Sequence, residues 1–534
     1  PLSGPREVQK AHGVTYPLGS EVSRLLRKAI HHSSGHPKYV LSDLFTVNVL
    51  IPWLAAMAFG VFVGATPGLT ATMAVALIVP ISFHLQDPNA GLAMIIGVSF
   101  TAIFAGDIPA TYLRIPGTPA SAAATLDGHE LAKQGKGGFA LMLDLFCSCL
   151  GGLIGVGLLV LVAAPLARFA LLFSDFEYFW LGVLGLSMSA FVTLGSTGRG
   201  LIAAMLGVLI GTVGMDVVTG TPRYPVLEEI GSVELMRGFD FIPIMIGLFG
   251  IAEVLRNIRT DVSWSASSVE ASVTPVRETL LAVWKYKITL LVSAVCGTFI
   301  GALPGAGADV AAWGAYGLAK KTSRDPDRFG YGAIEGVIAP TSANNAAVAG
   351  AWIPALVFGV PGDAVTAIVL GAMLMYDITP GPELFKGDMK QVHGIFWIAF
   401  LTQLMLLPVG FLGVKVFGSL MRLPRRYVLT AVVVFSVVGA YALNNSLFDV
   451  YVMLAFGLAG YVLESNRIPL APLVLGLILG ELVERKLRTG LISSGGDFTP
   501  MFTRPICIGL IAVLVLMFAG GPLMRMLRGR RSGG

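Results

Sequence analysis

The chain has 534 residues, 55% hydrophobic and 13% charged, and a mean hydropathy of +0.77, whereas about a quarter of a soluble domain is charged. That balance excludes a soluble globular protein and implies a polytopic membrane protein. The net charge of +5 comes from basic residues in short loops and at the C-terminus (Arg525, Arg528, Arg530, Arg531), a positive-inside pattern that argues against nucleic acid as a partner.

In chain order, residues 1–44 form a polar N-terminal segment whose His31, His32 and His36 read as a solvated tail rather than a metal site. No short apolar stretch precedes the first span, so a cleaved signal peptide is not expected. Apolar runs then recur at 46–63, 139–163, 179–194, 200–215, 241–255, 394–418, 428–443, 449–463, 468–481 and 506–524. Each is near the length needed to cross roughly 30 Å of hydrocarbon. With the segments interrupted by Pro-Gly pairs, about a dozen spanning or half-spanning helices are expected. Cys147, Cys149, Cys296 and Cys507 lie in or beside apolar segments without metal-ligand spacing and read as small core hydrophobes.

The chain repeats itself. "GVFVGATPGLTATMAV" (60–75) aligns with "GTFIGALPGAGADVAA" (297–312), pairing Gly60 with Gly297, Gly64 with Gly301, Pro67 with Pro304 and Gly68 with Gly305. "IPATYLRIPGTPASAA" (108–123) aligns with "IPALVFGVPGDAVTAI" (353–368), pairing Pro109 with Pro354, Pro116 with Pro361 and Gly117 with Gly362. Equivalent loops differ in charge: "FHLQDPNAG" (83–91) is nearly uncharged and "KKTSRDPDRFG" (320–330) is basic. After the second break the contrast reverses, between "DGHELAKQGKGG" (127–138), with Lys133 and Lys136, and "YDITPGPELFKGDMKQ" (376–391). "RLPRR" (422–426) likewise corresponds to "LARFALLFSDFEYF" (166–179). The positive-inside rule then places matching loops on opposite sides of the membrane, which makes an inverted-topology repeat. The expected organisation is a first membrane repeat over 45–255, a polar cytoplasmic linker over 256–287, a second repeat over 288–525 and a basic tail over 526–534.

Proline removes a backbone N–H, and glycine reaches dihedrals that other residues avoid. Non-helical backbone at membrane depth survives only inside protein or around a watery cavity. Paired breaks in two inverted halves point to a midplane site where half-helix N-termini attract anions and C-terminal carbonyls suit cations. Close helix packing alone accounts for any single Gly-rich motif, but less readily for four breaks in register.

The stretch 301–373, together with 60–80 and 115–141, strongly resembles the large membrane subunit (TctA type) of the bacterial tripartite tricarboxylate transporters, over about residues 45–525. The resemblance implies uptake of an organic carboxylate across the inner membrane, driven by a sodium or proton gradient and without a bound cofactor. It also implies two partners, a small membrane subunit and a periplasmic substrate-binding protein. Its motif positions fall on Gly64, Pro67, Gly68, Pro116, Gly117, Thr118, Pro304, Gly305, Gly307, Asn344, Asn345, Pro361 and Gly362. Asparagine amides offer a carboxylate donors and a cation an acceptor without burying a charge, and a buried pair also serves to bridge helices.

The sequence departs from the family pattern at Thr341, Asp107, Arg114, Asp309 and Asp363, four of which bring charge to the presumed site. Arg114 is a candidate fork onto a substrate carboxylate or an ion-pair partner for Asp107. Asp309 and Asp363, aligned with Thr72 and Thr118, are candidates for cation coupling or for helix caps. Glu335 is structural or gating, and His393 reads as interfacial. The chain has no HExxH, GxSxG or paired acidic clusters, so no enzyme is expected. A free-standing carboxylate carrier and an anion channel stand as alternatives, and the particular carboxylate stays open.

Overall fold

The computed structural model describes residues 42–192, 196–216, 219–224, 233–258, 276–386, 389–420 and 425–531. The histidine-bearing segment 1–41, most of the linker and the end of the basic tail lie outside them. All regular structure among the described residues is helical; two residues, Met215 and Pro222, form an isolated bridge. Among the described residues, seven helices are long and apolar enough to cross a membrane, or eight if a pair bent by 75° counts as one, and four shorter apolar helices accompany them. The protein is thus a multi-pass membrane protein of all-α class, and two of its short apolar helices, Ala71–His84 and Ala364–Met375, directly follow Pro-Gly breaks.

In the first half, α1 (Val47–Gly64) leads into a break, α2 (Ala71–His84) follows it, and α3 (Pro88–Ala105) and α4 (Asp107–Leu113) come next. After the second break, α5 (Thr125–Leu131) leads to the long α6 (Gly137–Ala170), α7 (Asp175–Val192) and α8 (Thr197–Gly211). A short α9 (Val233–Arg237) precedes one bulged helix, α10 (Phe241–Met245) continued through a wide turn into α11 (Ala252–Ile258). The second half opens with α12 (Val276–Lys285) and α13 (Lys287–Gly301), then α14 (Gly307–Thr322), α15 (Ile334–Phe358) and α16 (Ala364–Met375). It closes with α17 (Lys390–Leu420), α18 (Arg425–Asn444), α19 (Leu447–Ser465), α20 (Leu470–Ser493), α21 (Thr499–Thr503) and α22 (Pro505–Arg531).

The sequence repeat reappears as a repeat of contacts. A Cβ on Gly64 would strike the Ala102 carbonyl of α3, and one on Gly301 would strike the Ala347 carbonyl of α15. Only glycine lets α1 lie against α3, and α13 against α15, at that distance. Both breaks turn the same way: Leu69 N donates to Thr66 O and Ala306 N to Leu303 O, each at 3.1 Å. Gly68 and Gly305 take φ 89° and 84°, a region open to glycine at no steric cost. The second breaks match too, since Gly117 packs on Gly64 O and Gly106 while Gly362 packs on Gly301 O and Ala351.

Loops meet crosswise. Phe83, at the end of α2, packs on Tyr376, just after α16, with ring centroids 5.8 Å apart. Asp127 of α5, fully buried, accepts at Oδ1 from the backbone N–H of Gly330 (2.8 Å), Gly332 (2.9 Å) and Ala333 (2.7 Å). Its Oδ2 takes the Tyr316 hydroxyl at 2.9 Å. The loop after the first break in each half therefore abuts the loop after the second break in the other half. At the centre, α15 is buried from Gly336 to Val357, and Gly151 and Gly155 of α6 seat on its backbone.

Candidate functional site

A cavity of about 380 Å³ lies where the breaks converge. The starts of three half-helices line it: Thr70, Ala71 and Thr72 of α2, Gly307, Ala308 and Asp309 of α14, and Asp363, Ala364 and Val365 of α16. Thr118 and Pro119, from the second break of the first half, and Gly305 add to the wall. At two of these helix starts a side chain satisfies the free N–H groups. Thr70 accepts from Met73 N at 3.1 Å. Asp363 accepts from Thr366 N at 2.8 Å, and the Thr366 hydroxyl is hydrogen-bonded in return, a full capping box. Asp309 sits in the first turn of α14, after Ala306 at the cap position, where a negative charge complements the helix dipole. Asp363 therefore caps α16, and both aspartates also face the cavity.

The other wall comes from α11, α19 and the start of α20, with Glu253, Arg256, Glu464, Pro469 and Leu470. Arg256 pairs with Glu253 at 2.6 Å and Glu464 at 3.5 Å. Asn257 Nδ2 donates to the Gly68 carbonyl at 2.8 Å, tying the first break to α11. Sequence reading missed Glu253, Arg256, Asn257 and Glu464: each sits in a polar stretch at a helix end far along the chain from the breaks, and only the tertiary fold brings it to them.

Of the expected site residues, Thr72, Thr118, Gly305, Asp309 and Asp363 share this cavity. Pro67 and Gly68 form the turn before α2, with the Gly68 carbonyl held by Asn257. Pro116, Gly117, Pro361 and Gly362 shape the second breaks behind the wall, and Gly362 O accepts from Gly305 N at 2.7 Å. Asn344 and Asn345 lie within α15, fully buried and away from the lining, with Asn344 Nδ2 donating to Asp107 Oδ2 at 3.3 Å.

Arg114 is exposed and closes α4 in the left-handed conformation at φ 59°. Asp107, at the opposite end of α4, is 1% exposed. The expected alternative of an Asp107–Arg114 ion pair is therefore not realised: the left-handed residue swings Arg114 out of the helix, while Asp107 points into the packed interior. Arg114 also lies outside the cavity lining. Glu335 accepts from the Ser323 hydroxyl at 2.8 Å, and His393 is exposed in the first turn of α17. Cys147, Cys149 and Cys507 are buried and Cys296 half-buried, all as free thiols.

No solved structure matches the chain. A protein of Agrobacterium vitis described as "Uncharacterized 52.8 kDa protein in TAR-I ttuC' 3'region" is 35% identical over 473 residues, 88% of this chain and 92% of that protein. A second from the same organism, "Uncharacterized protein in TAR-II ttuC' 3'region", is 37% identical over 226 residues, 41% of this chain and 93% of its own length. The description "Tripartite tricarboxylate transporter TctA family" matches residues 50–475, so the chain belongs to the TctA family, the transmembrane components of tripartite tricarboxylate transporters.

Proposed function

We propose that this chain carries an organic carboxylate, of tricarboxylate or dicarboxylate type, into the bacterial cell across the inner membrane, driven by a sodium or proton gradient. In this reading it works with a small membrane subunit and receives its substrate from a periplasmic binding protein. The observation that carries the reading is the convergence of two broken hairpins on one cavity. The α1–α2 hairpin begins and ends on the face where Phe83 meets Tyr376, and the α13–α14 hairpin on the face where Asp127 holds 330–333. Two hairpins entering from opposite faces are what an inverted repeat makes, and their tips are the natural place for alternating access.

The cavity wall divides by chemistry. The first half contributes the start of α2 with the hydroxyls of Thr70, Thr72 and Thr118, which offer N–H and O–H donors to a carboxylate. The second half contributes the carboxyl groups of Asp309 and Asp363, which suit the coupling cation. Arg256 and Glu464 lie at the ends of their helices remote from the Asp240–Asn444–Asp449 cluster, which itself borders the Phe83 face. The cavity thus opens toward the face carrying the basic loops, the cytoplasmic side by the positive-inside rule.

The test is uptake of labelled organic acids into proteoliposomes holding the chain and its small subunit, under an imposed sodium or proton gradient, with and without the binding protein. Uptake that needs the binding protein and collapses without one gradient supports the reading and names the ion. Uptake without the binding protein makes the chain a free-standing carrier, and flux without counterflow makes it a channel.

A further inference from the structure

A second polar cluster lies in the packed interior beside the cavity. Asp107 opens α4, Asp144 lies in α6 and Asn344 in α15, and each is at most 1% exposed. Asn344 Nδ2 donates to Asp107 Oδ2 at 3.3 Å, and the Ser148 hydroxyl donates to Asp144 Oδ1 at 3.1 Å. Asp107 Oδ1, Asp144 Oδ2 and Asn344 Oδ1 are buried and receive no hydrogen bond from any N–H or hydroxyl donor among the described residues. The two carboxyl groups are neighbours where α4 packs on α6.

Among the described residues, no lysine or arginine pairs with either carboxyl. Around the pair, Cys147 of α6 lies beside Asp144, the Ser148 hydroxyl lies between Asp144 Oδ1 and the Thr341 carbonyl, Asn344 of α15 holds Asp107, and Ser121 approaches from the second break. Two bare carboxylates there, without a counter-cation, are too costly to persist inside a membrane protein. Ionised carboxylates only accept hydrogen bonds, so two that meet are bonded to each other only through a proton.

The pair also has a route to the cavity. The Ser121 hydroxyl neighbours Asp107, Thr118 Oγ1 and Ser121 Oγ are 2.9 Å apart, and Thr118 lines the cavity wall.

We infer that Asp107 and Asp144 form a proton-loading site, separate from the cavity carboxylates, that shares one proton and exchanges it with the cavity through the hydroxyls of Ser121 and Thr118. On loading, a hydronium in the cavity gives a proton to Thr118, whose own proton passes to Ser121, whose own proton passes to the carboxyl pair. Each hydroxyl ends neutral, the pair gains one proton, and release runs the same steps in reverse. The part this site plays in the transport cycle rests on the proposed function above; its protonation does not.

Infrared spectra of the purified full chain test the protonation directly. A protonated-carboxyl C=O band at neutral pH that disappears in the D107N/D144N double variant is expected, and an unchanged band overturns the site. Proteoliposomes loaded with a pH-sensitive dye and supplied with labelled citrate or succinate test the coupling. D144N is expected to lose proton-driven accumulation and substrate-linked internal acidification while counterflow persists. S121A, a milder change, is expected to slow accumulation more than counterflow. Proton-driven accumulation that survives in D144N and D107N overturns the coupling role. Accumulation that depends on sodium in the wild type, with no protonated-carboxyl band, replaces the proton by a sodium ion. If the wild type shows no counterflow of any acid, the transport reading fails, and the infrared result still decides the pair.

Discussion

The two broken hairpins share a backbone and differ in chemistry. Their turns, their glycine dihedrals and the carbonyls their glycines rest on correspond position by position. The side chains beside the breaks do not: Thr72 and Thr118, after the breaks of the first half, stand opposite Asp309 and Asp363 in the second, and Arg114, before the second break, stands opposite Gly359. The scaffold positions are fixed because neighbouring backbone leaves no room for a Cβ. The positions facing the cavity meet open space, and there the two halves differ.

Substitutions that treat the halves alike test that contrast. Gly64→Leu and Gly301→Leu are expected to abolish folding, since a helix backbone rather than a flexible side chain blocks each site; the yield of monodisperse protein measures it. Gly64→Ala and Gly301→Ala are expected to cost about 1–3 kcal/mol each, the range for overpacking a tight interface, seen as similar falls in thermal midpoint. A large effect in one half alone would break the equivalence.

Substitutions that exchange the halves sharpen it. Asp363→Ala removes the α16 cap and is expected to cost about 1–2 kcal/mol in thermal unfolding. Asp363→Thr keeps a capping hydroxyl and is expected to stay within about 1 kcal/mol of wild type, while gradient-driven uptake falls because the carboxyl is gone. Arg114→Gly installs the second half's residue at a left-handed position and is expected to stabilise the chain by up to about 1 kcal/mol. The relief of backbone strain outweighs glycine's extra freedom when unfolded.

The repeat, the breaks and the crosswise charge of the loops were legible because Pro, Gly, Lys and Arg act locally, through dihedrals and membrane side. Thr72, Thr118, Asp309 and Asp363 were legible as one set because they follow breaks that the repeat aligns. Asp144 was not, since a single aspartate in an apolar run carries no signal until α4 and α15 pack against it. The same holds for Asn344, whose partner Asp107 lies 237 positions away. Arg114 misled for a related reason: seven residues after Asp107 suggests one helical face, and a single left-handed residue cancels that.

Asp127 bears on the order in which the protein is made. Its carboxyl is buried and bound by three N–H groups and a hydroxyl, all from residues 316–333. During synthesis α5 is complete about two hundred residues before any of these donors exists. Until they emerge, the nascent first half carries an unsatisfied acidic group at the place where its own second break ends. Final docking of the first half therefore waits for the ribosome to deliver α14 and the loop after it. Split into two polypeptides at the linker, the halves would assemble only when produced together.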